Sequence, residues 1–92
     1  IYREVRNNMK YDLETVQAYL KLINDSNPIH DEIVPGQLVC EWLLTNVVWY
    51  KYKVQYKNPI KLNEPLIKEI IKDKIVCMNE DGTVKIVVSR IE

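Results

Sequence analysis

Asp25-Ser26-Asn27-Pro28-Ile29-His30 places an aspartate five residues before the single histidine of the chain. Val34-Pro35-Gly36-Gln37-Leu38 follows almost at once and opens an apolar run. A carboxylate and an imidazole this close in sequence can hold one water between them and move its proton. The Pro-Gly step reads as the start of a helix, whose unpaired N–H groups can receive a carbonyl oxygen that is gaining charge. Together these are the parts needed to add water to an α,β-unsaturated acyl group, or to remove it.

Each residue also has a plainer reading. Asp25 can be a turn former at a helix end, and His30 an exposed loop residue. Asn27 can form a turn or support the loop around the Asp–His pair. Gly36 can simply permit a sharp entry to the helix that follows. Glu41 lies on that helix between apolar residues, where burial would raise its pKa; it is the alternative carboxylate to Asp25.

The elements that must position these residues follow from periodicity. Asp12 reads as an N-cap ahead of Leu13, Val16, Leu20 and Ile23, which share one helix face. Asn24 to Pro28 stops that helix, because Pro28 biases Asn27 away from helical backbone. Residues 36–49 read as a second helix, apolar nearly all round and therefore buried. Tyr52, Val54 and Tyr56 then alternate with Lys51, Lys53, Gln55 and Lys57, as in a half-buried strand. After breaks at Asn58-Pro59 and Asn63-Glu64-Pro65, residues 66–78 read as one long strand, bent near Lys72-Asp73-Lys74. Asn79-Glu80-Asp81-Gly82 is a hairpin turn and residues 83–91 the returning strand. The expected architecture is α+β: a curved antiparallel sheet of three or four strands wrapped round one buried central helix.

Composition sets the outer limits. The 92 residues make one domain, 1–92, whose apolar share of 47% suffices for a core. So small a core is marginal without a partner subunit. Thirteen Lys and Arg balance thirteen Asp and Glu, which argues against a nucleic-acid partner. Cys40 and Cys77 have no metal-ligand spacing and read as buried thiols in a reducing compartment. No secretory signal and no membrane-spanning apolar run is present, so the expected location is cytoplasmic, with no membrane partner.

Asn24-Asp25-Ser26-Asn27-Pro28-Ile29-His30 resembles the signature of the MaoC-like dehydratases and R-specific enoyl-CoA hydratases. Ile33 to Leu38 resembles their entry into the central helix, and Tyr56-Lys57-Asn58-Pro59-Ile60 their following strand. The resemblance implies the hotdog fold and a homodimer with sheets joined edge to edge. It implies a lyase of fatty acid metabolism: hydration of trans-2-enoyl thioesters, or dehydration of R-3-hydroxyacyl thioesters. Asp25 and His30 fall on the catalytic pair, Asn27 on a loop-supporting residue and Gly36 on an oxyanion donor. No metal or redox cofactor is implied; coenzyme A or an acyl carrier protein is the handle of the acyl thioester substrate. Asn24 stands where the family carries glycine, and the stretch from His30 to Gly36 is shorter than in typical members. Pro35 to Glu41 also resembles a segment of the β-hydroxyacyl-acyl-carrier-protein dehydratases, with Glu41 on their helix glutamate. Two other readings stay open: a non-catalytic acyl-thioester-binding or assembly domain, and an acyl thioesterase.

Overall fold

The structure is a computed structural model and describes residues 7–23 and 33–91. Among these the chain order is β1 (Asn8–Met9), α1 (Leu13–Leu22), β2 (Ile33–Val34), α2 (Gly36–Leu43), β3 (Tyr52–Tyr56), β4 (Ile60–Lys61), β5 (Leu66–Ile71), β6 (Lys74–Asn79) and β7 (Val84–Arg90). Asp25, Asn27 and His30 lie outside the described residues.

Helix α1 starts where the sequence says it should. Asp12 is its N-cap, and the Asp12 carboxylate accepts from the Thr15 N–H at 2.8 Å. Val16 and Leu20 form its buried face.

Helix α2 is shorter than expected: it ends at Leu43 rather than Trp49. The apolar pattern runs on through Leu44, Val47 and Val48, but three features stop the helix. Thr45 Oγ1 donates back to the Glu41 carbonyl at 2.9 Å, a bond that competes with the helical ladder. Asn46 takes a left-handed φ of 65°. Lys68 Nζ donates to the Trp42 carbonyl at 3.1 Å and satisfies one of the last helical acceptors. Val48 consequently stands in solvent, 87% exposed.

The strands form a five-stranded antiparallel sheet in the order β1-β5-β6-β7-β3, with a separate β2-β4 ladder. The long bent strand expected over 66–78 is two strands, β5 and β6, joined by a tight hairpin in which Ile71 pairs with Lys74. Lys72 makes the turn at φ 51°, a conformation that lysine seldom signals in sequence. The turn at Asn79–Gly82 is as expected: Gly82 sits at φ 85°, and Asn79 Oδ1 accepts from the N–H groups of Asp81 and Thr83.

Val39 and Leu43 of α2 pack with Leu66, Ile75, Ile86 and Val88 of the sheet in one core, all with 1% exposure or less. Burying each such side chain contributes about 1.5–3 kcal/mol. Trp42 belongs to this core, as does Cys77; Cys40 is half-buried, and both thiols are free. The α+β architecture with one buried helix against an antiparallel sheet is therefore present, with more strands than anticipated.

Candidate active site

The ladder of β2 with β4 pairs Val34 with Ile60. These two buried side chains and Ile86 of β7 floor an open groove of about 300 Å³. Ile33 and Pro59 extend its apolar wall, Lys57 and Asn58 stand at its rim, and Gly36 with Tyr56 closes one side.

Gly36 is the first residue of α2. Pro35 is the N-cap and supplies no side-chain acceptor. The N–H groups of Leu38 and Val39 both turn to the Pro35 carbonyl, at 3.1 and 3.4 Å. Those of Gly36 and Gln37 take no acceptor among the described residues, and Gly36, at the positive end of the α2 dipole, lines the groove.

A side chain at position 36 would force the Tyr56 ring to move. The Tyr56 ring lies against Gly36: a Cβ at position 36 would stand 2.7 Å from Tyr56 Cδ1 and closer still to Cε1. The far end of the same side chain reaches Cys40, with its hydroxyl 3.8 Å from Sγ. Tyr56 therefore spans the first turn of α2. Burial, then the hydrogen bond with Cys40, pushes the Tyr56 phenol up to about 12, and burial also pushes the Cys40 thiol up. Both groups are neutral at pH 7, so Cys40 lacks the thiolate character of a nucleophile.

Tyr19 Oη donates to Gln37 Oε1 at 3.3 Å, tying the second half of α1 to the first turn of α2. Ile33, the first described residue after α1 and the stretch that follows it, lines the groove. Glu41 is exposed and does not line the groove. Its charge contributes, after burial, to raising the phenols of Tyr11 and Tyr19.

The rim is held by a residue that periodicity does not single out. Cys77 pairs with Ile86 but Met78 with Val84, which leaves Lys85 as the extra residue of a β-bulge. Its carbonyl accepts from the N–H groups of Lys57 and Asn58 at 2.8 and 3.3 Å. Its ammonium donates to the Pro59 carbonyl at 2.9 Å and pairs with Glu64 Oε2 at 3.1 Å. Asn58 Nδ2 adds a bond of 2.7 Å to the Val84 carbonyl. Glu64 also accepts from the Lys61 N–H and from Asn79 Nδ2, both at 3.0 Å. Burial by itself would raise the Glu64 carboxyl; the three hydrogen bonds and the Lys85 charge outweigh it and hold the group below its usual range.

Among the described residues no three His, Cys, Asp or Glu side chains are grouped to hold a metal ion. No described helix is long and apolar enough to cross a membrane.

No family model and no curated protein matches the sequence. Solved structures do match. One is an (R)-hydratase from A. caviae involved in PHA biosynthesis, with a TM-score of 0.66 and 14% identity over 88% of this chain and 86% of that one. Another is the C-terminally truncated HadBC (3R-hydroxyacyl-ACP dehydratase) complex from Mycobacterium tuberculosis, with a TM-score of 0.58 and 9% identity over 96% of both chains. Likeness at such identities speaks for the fold: the chain has the α+β hotdog fold, with α2 as its central helix.

Proposed function

We propose that this protein catalyses the reversible hydration of trans-2-enoyl thioesters, equivalently the dehydration of R-3-hydroxyacyl thioesters. One observation carries the reading. An apolar groove runs past Gly36 at the head of α2, and Ile33, the first described residue after the Asp25–His30 segment, lines it. His30 precedes the groove residue Ile33 by three positions, so chain length alone keeps the two Cα atoms within about 11 Å. The matched hydratase and dehydratase structures support the same chemistry.

In this reading the acyl chain lies on Val34, Ile60 and Ile86, and the thioester carbonyl points at the Gly36 N–H. Asp25 and His30 hold a water between them. Its oxygen bonds to the β-carbon as its proton passes to the pair, and the α-carbon receives a proton in return. The electron pair of the double bond passes through an enolate, whose oxygen the Gly36 N–H and the α2 dipole stabilise. An oxyanion donor of this kind contributes ~10²–10³-fold and positioned acid–base help ~10²–10⁴-fold. Asn27 supports the loop. Glu41, exposed on α2, ranks behind Asp25 as the carboxylate.

The reaction adds or removes water with no net redox change, so in this proposal no cofactor is needed beyond the coenzyme A or carrier-protein handle of the substrate. The working form in this proposal is a cytoplasmic homodimer. Strand β3 is a sheet edge with Tyr52 and Tyr56 exposed, and an open edge is a template for pairing with a second chain.

The test is the loss of the enoyl-thioester absorbance band with crotonyl-CoA. Turnover giving R-3-hydroxybutyryl-CoA supports the proposal. Folded protein that turns over neither coenzyme A nor carrier-protein thioesters, yet binds them, turns the reading to a non-catalytic acyl-thioester domain.

A further inference from the structure

We propose that Tyr56 determines acyl-chain length at this site, closing the groove over the first turn of α2 and restricting it to short acyl thioesters. The inference rests on the acyl-thioester reading of the groove and adds a specificity residue to it.

Three observations carry it. First, the groove of about 300 Å³ stands at the small end of the ~300–1,000 Å³ typical of small-molecule sites. Its apolar floor, Val34, Ile60 and Ile86, is short, and Lys57 and Asn58 begin the polar rim at once. Second, the Tyr56 ring fills the space where a side chain at position 36 would otherwise stand. The Tyr56 side chain thus lies along α2 from Gly36 to Cys40, one turn on, at the end of the groove that Gly36 lines. Third, the ring, although its residue is 57% exposed on the edge strand, is contacted at both ends. Its edge rests on Gly36 and its hydroxyl meets Cys40 Sγ at 3.8 Å, while its strand is in register with β7 through the Tyr56–Ile86 pair. A wall anchored in this way sets a length limit, and the absence of a side chain at Gly36 lets the wall come this close.

In hydrophobic pockets, room for one more methylene changes selectivity by ~10–200-fold. Removing the ring by Tyr56→Ala therefore raises the preference for a long chain over a short one by ~10-fold or more. Tyr56→Phe keeps the ring and retains the native preference.

The experiment has two arms on the full chain. One compares kcat/KM for oct-2-enoyl-CoA and crotonyl-CoA in the native protein, Tyr56→Ala and Tyr56→Phe. The other compares binding of octanoyl-CoA and butyryl-CoA by calorimetry; these saturated thioesters cannot be hydrated, so this arm does not depend on turnover. The expected result is a ratio shifted toward the longer chain in Tyr56→Ala alone, in both arms. A shift in binding with no turnover in any protein upholds the role of Tyr56 and overturns the hydratase reading. An unchanged ratio in folded Tyr56→Ala overturns the role of Tyr56, as does the absence of binding of either thioester to the native protein. If Tyr56→Ala does not fold, Tyr56→Leu removes the ring while keeping an apolar side chain, and its ratio decides in the same way.

Discussion

Lys68 Nζ lies 3.1 Å from the carbonyl oxygen of Trp42 and 5.3 Å from the centroid of the Trp42 ring. Its residue is 2% exposed, so a cation is buried at the C-terminal end of the central helix, where the helix dipole and the indole face both favour it. Burial opposes the charge and holds the Lys68 pKa below the usual lysine range. The Trp42 carbonyl also accepts from the Thr45 N–H at 3.2 Å, so losing Lys68 does not strand it.

Volume should therefore matter more than charge at position 68. Lys68→Ala is expected to cost about 2–4 kcal/mol through the cavity it leaves. Lys68→Met keeps the volume and is expected within about 1 kcal/mol of the native protein, because relief of the burial penalty offsets the lost bond. The pH dependence follows from the direction of the shift. The folded pKa lies below the unfolded 10.5, so the unfolded state binds the proton more tightly. The penalty is full at neutral pH and lifts as pH rises from the lowered value toward 10.5. Denaturant unfolding at rising pH should accordingly show native stability gaining on Lys68→Met. A difference that stays constant would show that the charge carries no penalty.

The Glu64–Lys85 pair should matter for the groove rim. Glu64→Ala leaves an ammonium whose residue is 6% exposed, with the Pro59 carbonyl as its remaining acceptor among the described residues. The expected loss is about 2–4 kcal/mol, read from denaturant midpoints. The Glu64 pKa is lowered from 4.5, so its contribution is complete above about pH 4.5 and lost as pH falls through the folded value. The stability gap between native protein and Glu64→Gln should close in that acid window. A gap independent of pH would contradict the pairing.

Gly36 and Tyr56 should be coupled with a change of sign. Alanine is a better helix former than glycine by ~1 kcal/mol, so Gly36→Ala alone would stabilise an unobstructed helix. Here its Cβ meets the Tyr56 ring, and a net loss of about 1–2 kcal/mol is expected. In a Tyr56→Ala background the same substitution should become neutral or stabilising. Additive effects in this double-mutant cycle would remove the contact from the account.

Much of this was readable in the sequence because it rests on local chemistry. Asp12 caps α1, β3 forms at Tyr52–Tyr56, and Asn79–Gly82 turns between β6 and β7, but the expected alternation in β3 fails: Tyr52 and Tyr56 are exposed while Val54 and Gln55 are half-buried. The failures share a cause in long-range contacts and atypical residues. Apolar residues beyond Leu43 keep helical spacing, and the Thr45 back-bond, the Asn46 turn and the Lys68 contact show why α2 stops. Lys72 occupies a turn position that glycine or asparagine would have announced. Lys68 and Lys85 are buried although lysines are usually solvated, because their partners are carbonyls and a carboxylate distant in sequence. At the candidate site, Gly36 at the head of a helix was legible. The reason for it was not, since the ring that rests against Gly36 belongs to a strand twenty residues later.

The most direct measurement is crotonyl-CoA hydration by the native protein and by Asp25→Asn, followed as loss of the enoyl-thioester absorbance with folding checked in parallel. Turnover in the native protein that falls by ~10²-fold or more in a folded Asp25→Asn protein is the expected result. Equal rates in the two proteins would contradict the Asp25–His30 assignment, and with it the hydration mechanism built on that pair.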